Sequence, residues 1–255
     1  MPAPRPETKL PPLTPSFWVM KICATTLGET AGDLLSMTLD VGYAASTAIL
    51  LGAFAVALAS QLRARRYVPL RYWLVILTTS TAGTTMSDFM DRTLGLGYAG
   101  GSAILVGLLL AVLAYWRATE PSLAVDDVRT LRAEVLYWTA ILCSNTLGTA
   151  LGDFLADDSG LGFAGGAALI AGLLLLVLVA FRFTRVSRTA LFWAAFVLTR
   201  PFGATMGDVL TKPLDRGGLG FGTVGSSLVL AAALGICIVA AGRRQAAGER
   251  VDPGD

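Results

Sequence analysis

Histidine is missing from all 255 residues. That removes the imidazole general base, the Ser-His-Asp arrangement and the commonest nitrogen ligand for zinc and copper. Cysteine is almost as scarce. Cys23, Cys143 and Cys237 lie far apart in apolar runs without CxxC spacing, so they read as small packing residues and not as a thiolate metal site. Charge is thin as well: 15% of side chains are charged against 54% hydrophobic, too oily for a soluble domain of this length and fitting for a polytopic membrane protein. The net charge of +2 is small and the basic residues gather beside apolar runs, so no nucleic-acid surface is implied.

The proline-rich start, residues 1–16, offers little to bury and reads as a disordered cytoplasmic arm, not a cleaved signal. Residues 245–255 read as a second disordered cytoplasmic tail. Between them, residues 17–244 form a single transmembrane domain.

What is present is repetition. Trp18, Trp73, Trp138 and Trp193 open four apolar runs; ten residues after each stands Gly28, Gly83, Gly148 or Gly203, and fifteen after stands Asp33, Asp88, Asp153 or Asp208. This Gly-x-x-x-x-Asp core recurs at fixed offsets, so the chain is a fourfold internal repeat, with units at about 17–66, 72–117, 137–185 and 192–244. Nine residues past the Asp come "GYA" at Gly42 and Gly97 and "GFA" at Gly162, while the fourth unit reaches "GFG" at Gly220 after three extra residues. A second apolar run and then basic residues follow each turn. The expected architecture is all-α: eight transmembrane helices as four tandem helical hairpins with parallel internal repeats. Units one and three share one variant and units two and four another, which predicts an approximate twofold axis along the membrane normal. The basic loops all fall on one side, so both termini are expected in the cytoplasm, with each Trp in an aromatic belt at the cytoplasmic interface.

Fifteen helical residues at about 1.5 Å each set every Asp roughly 22 Å beyond its Trp, still within the hydrocarbon layer. Intramembrane acids are expensive. Two uses are open: the Asp residues cap or brace neighbouring backbone, or they line a polar path. In "TTLGETAGD", Glu29 adds a second acid one turn before Asp33 on the same helix face. The corresponding residues of the other units are Thr84, Thr149 and Ala204. Thr25, Thr26, Thr30, Thr84, Asn145, Thr149 and Thr205 are the supporting polar candidates. Opposing charge within the apolar runs is limited to Lys21, expected to snorkel to the headgroups, and to Arg200, expected to be embedded as counter-ion. Glu29, Asp33, Asp88, Asp153 and Asp208 thus form a candidate oxygen-ligand set for a hard cation, or a proton relay. Met37, Met86 and Met206 are candidate soft ligands that would tilt the choice toward Mn2+. Pro201 is expected to kink its helix and break the symmetry.

Through "TTLGETAGD" and its repeated Gly-x-x-x-x-Asp units, the chain from Phe17 to about Arg244 resembles a bacterial family of uncharacterised membrane-anchored proteins with tandem hairpin repeats. That resemblance implies an inner-membrane protein and assigns no catalysis. The function expected from the residues is transport of an inorganic cation, a divalent metal such as Mn2+ foremost, with the ion as substrate and no cofactor. The partners are the lipid bilayer and a cation or proton, and a homo-oligomer is compatible with the sequence. A helix-bracing assembly protein, a proton or monovalent-cation channel and an intramembrane lipid enzyme are the alternatives. The enzyme is disfavoured because no nucleophile and base pair appears.

Overall fold

The computed structural model describes residues 9–251, with side chains described up to residue 246. Residues 1–8 of the expected arm and 252–255 of the expected tail lie outside the described residues. Within the arm, Lys9 donates to Glu134 at 2.7 Å and Leu10 is buried. The described residues form eight α-helices and no strand: α1 Pro15–Asp33, α2 Tyr43–Leu62, α3 Pro69–Asp88, α4 Gly97–Thr119, α5 Leu131–Asp153, α6 Gly162–Phe183, α7 Arg188–Thr211 and α8 Gly222–Val251. The odd-numbered helices start where the sequence supplies caps. Thr14, Thr130 and Ser187 accept from the backbone of the first turns of α1, α5 and α7, and Pro69 occupies the first turn of α3.

The two helices of a unit differ in kind. α2, α4, α6 and, up to Ala246, α8 are long and apolar enough to cross a membrane, and little of their surface is buried inside the protein. The odd helices carry the acids and hydroxyls, and α1 packs on α3, α3 on α5, α5 on α7 and α7 back on α1. They make a closed inner ring. Each even helix covers the odd helix of the following unit: α2 lies on α3, α4 on α5, α6 on α7, and α8 returns to α1. The two helices of a unit follow one another in the chain, but their main packing partners lie in neighbouring units.

Glycine explains how the ring closes so tightly. A Cβ on Gly83 would come within 3.0 Å of the Asn145 and Thr146 backbone, and one on Gly28, Gly148 or Gly203 would strike Ser80, Arg200 or Thr25. The four repeat glycines thus perform one task, each admitting the side chain or backbone of the next helix against bare Cα, as small residues do in membrane helix packing.

Three of the four repeat tryptophans depart from the expected belt. Trp73, Trp138 and Trp193 are buried, and with Phe17, Tyr72, Tyr137 and Phe192 they stack edge-on and tilted across one end of the ring. Tyr72 and Tyr137 join through their hydroxyls at 2.9 Å. The cause is the aromatic that precedes each Trp: paired aromatics on four converging helices bury more area against one another than toward a headgroup layer. α7 runs through Pro201 without interruption.

Candidate functional site

Equivalent positions of the four units meet in layers along the ring axis. Nearest the aromatic end lies Lys21, which does not snorkel: it is fully buried, with Nζ 4.1 Å from the Phe196 ring centroid and donating to Asn145 at 3.5 Å. Asn145 in turn donates to Thr79.

One layer on is Arg200, also fully buried. Its Nη2 stands 2.9 Å from Glu29 Oε2, 2.6 Å from Thr84 Oγ1 and 2.5 Å from Thr149 Oγ1. Those three side chains occupy the same position of units one, two and three, and the fourth unit has Ala204 there. The embedded arginine is therefore held by its three sister units at once, as the expected counter-ion to Glu29. This layer breaks the fourfold symmetry. Two buried ions are costly to desolvate unless paired and bonded, and here both conditions are met at Nη2.

Asp33, Asp88, Asp153 and Asp208 form the next layer, all buried. Asp33, Asp88 and Asp153 are each followed by a five-residue π-helical turn (Leu34–Thr38, Phe89–Thr93, Phe154–Asp158), and none of the three side chains caps the turn it precedes. Capping of the following turn is thus not what holds these three. Their partners come from the turns. Arg92 lies 2.9 Å from Asp88 and 3.5 Å from Asp153; Lys212 lies 3.1 Å from Asp208 and 3.3 Å from Asp33. Burial works against the charge on Lys212, in the turn just beyond α7, but Asp208 and Asp33 outweigh it and hold the ammonium well above the ordinary lysine range.

Above this layer opens a polar cavity of about 100 Å³. Its lining includes Glu29, Asp33, Asp88, Asp153, Asp157 and Asp208 together with Arg92, Lys212 and Arg216. With Arg200 behind Glu29, six carboxylates meet four cations, an excess of two negative charges when all are ionised. Within the lining, one carboxylate oxygen each from Glu29, Asp33 and Asp208 lie within 4.8 Å of one another. Three converging hard oxygens suit a hard cation.

The structure divides the sequence candidates. Glu29, Asp33 and Asp208 converge, while Asp88 and Asp153 share the cavity with Arg92 between them. Thr84 and Thr149 hold Arg200, and Asn145 holds Lys21. Thr25, Thr26, Thr30 and Thr205 do not join the acids. Their hydroxyls donate to carbonyls of their own helices, Thr25 also to Thr199 O, and Thr30 accepts from Ser227. Met37 lines the cavity; Met86 and Met206 are not among its lining residues. Arg92 and Lys212, which lie past the apolar runs, were not among the sequence candidates. The signal was their shared spacing, four residues past the Asp in units two and four.

A family described as a Repeat of Unknown Function (DUF347) matches residues 16–67, 71–122, 136–187 and 191–246. The chain belongs to this family. Its four matches begin where the tryptophan register begins, and the fourth is the longer, as its extended turn requires. No curated protein and no solved structure gives a significant match.

Proposed function

We propose that this member of the repeat family is a membrane transporter of an inorganic cation, best suited to a divalent ion such as Mn2+, with Glu29, Asp33 and Asp208 as its ligands. The observation that carries this reading is the convergence of three buried carboxylate residues at the floor of a polar cavity where six carboxylates meet four cations. A divalent ion would offset the excess of carboxylates over cations. Asp88, Asp153 and Arg92 line the same cavity and tune the field.

In this reading all eight helices cross a bacterial inner membrane, the four polar ones shielded by the four apolar ones. The odd helices hold 19 to 24 residues, about 28 to 36 Å at 1.5 Å per residue, which matches a hydrocarbon core of about 30 Å. The loops between units carry most of the basic residues, which favours cytoplasmic termini and a cavity facing outward.

The bridging of Asp pairs by Arg92 and Lys212 favours a second reading, in which the acids only knit the ring together. Manganese uptake into sealed vesicles holding purified protein separates the two. Transport by the wild type that is lost in Glu29→Gln, with insertion intact, supports the cation reading. Equal flux in vesicles with and without protein supports the second.

A further inference from the structure

Lys212 and Arg200 are both cations beside the acids, yet they are seated differently. Arg200 is fully enclosed and tied to three units. Lys212 approaches from the turn, its side chain is 25% exposed, and its ammonium sits on Asp33 Oδ2 and Asp208 Oδ1, two of the three proposed ligands. Arg92, the matching residue of unit two, bridges Asp88 and Asp153, which are not members of that triad. An ion bound by the triad would therefore compete with the Lys212 ammonium for Asp33 and Asp208, and not with the Arg92 guanidinium.

The chemistry of the two side chains fits this division. A lysine ammonium is a compact point charge on a flexible stem that can swing into the open cavity, whereas a guanidinium fork bridging two carboxylates is geometrically fixed. The turn that carries Lys212 is the longest of the four, with Arg216 also at the cavity.

We infer that Lys212 is a tethered counter-ion that alternates with the transported cation: it leaves when the ion enters and returns when the ion departs. This inference rests on the proposed cation site. Its consequence concerns the empty carrier. Glu29 keeps Arg200, but Asp33 and Asp208 left without a cation would cost several kcal/mol per ion to hold out of water. With the ammonium back on Asp33 and Asp208, the three carboxylates of the empty site again face two cations from the protein itself, so the carrier resets without a separate coupling cation.

The test uses Lys212→Gln and Lys212→Arg in the full chain, reconstituted in sealed vesicles, with Mn2+ as the probe. A tethered competitor acts at an effective concentration in the millimolar range, so Lys212→Gln is expected to bind Mn2+ about tenfold more tightly or better. It should keep tracer exchange when Mn2+ is present on both sides and lose net flux into vesicles without Mn2+. Lys212→Arg, which preserves the charge and supports folding, should bind Mn2+ more weakly than wild type. Unchanged affinity in both variants, or net flux retained in Lys212→Gln, overturns the tethered counter-ion while wild-type binding leaves the cation site standing. No Mn2+ binding by folded wild type removes both.

Discussion

Arg92 and Lys212 are one residue of the repeat seen twice: each stands four positions past its own Asp and bridges that Asp to the Asp of the next unit around the ring, Arg92 joining Asp88 to Asp153 and Lys212 joining Asp208 to Asp33. The equivalent positions of units one and three hold Met37 and Asp157. Units with and without a bridging cation therefore alternate, so the two bridges follow a twofold pattern although the helix ring is nearly fourfold.

Removing the fixed bridge should destabilise the empty protein. Arg92→Gln leaves Asp88 and Asp153 without their shared cation. Breaking a fully buried pair costs about 3–5 kcal/mol; with Arg92 35% exposed, solvent screening reduces this to about 1–3 kcal/mol. Thermal unfolding in detergent, in the absence of divalent ions, checks this against wild type.

The Glu29 and Arg200 pair should behave as a unit. Arg200→Met strands a buried carboxylate and should cost about 3–5 kcal/mol, whereas the double variant Glu29→Gln with Arg200→Met should recover part of that loss. A double-mutant cycle on unfolding midpoints reads the coupling. Additive losses would show that Thr84 and Thr149, and not Glu29, hold the guanidinium.

Much of this site is legible in sequence because duplication fixes the offsets. The Asp layer, the Glu29 layer and the embedded Arg200 all follow from counting residues after each Trp. What does not follow is anything supplied across unit boundaries. Each even helix covers the next unit's odd helix, so pattern within a unit cannot reveal its neighbour. The turn cations were obscured for a related reason, since Arg92 and Lys212 lie past the apolar runs and bend back toward them. The tryptophans misled through their amphipathic habit; the aromatic just before each one, from Phe17 to Phe192, was the sign of a buried stack.

Glycine substitutions should separate ring closure from general helix propensity. Gly83→Ala places a methyl within 3.0 Å of the α5 backbone, which cannot yield as a side chain would, and should cost about 1–3 kcal/mol. Gly52→Ala, in α2 with open space around it, should be neutral or stabilising by up to about 1 kcal/mol. Detergent melting curves of the two variants provide the comparison.

Topology is testable by single cysteines in a background where Cys23, Cys143 and Cys237 are replaced by serine. Ser122, between units two and three, and Ser159, in the turn of unit three, should react with an impermeant thiol reagent from opposite sides of the membrane. Labelling of both from the same side would contradict the eight-span reading.

The most direct measurement of the central claim is the unfolding midpoint of purified wild type, Asp33→Asn and Thr26→Ser as Mn2+ is titrated. A ligand that binds only the folded protein raises its stability by about 2.7 kcal/mol at a hundredfold excess over Kd. Wild type and Thr26→Ser, whose hydroxyl faces its own helix backbone, should rise together. Asp33→Asn, folded but short of one converging oxygen charge, should show little or no rise. A flat response in wild type, or an equal rise in Asp33→Asn, would contradict a cation site built from Glu29, Asp33 and Asp208.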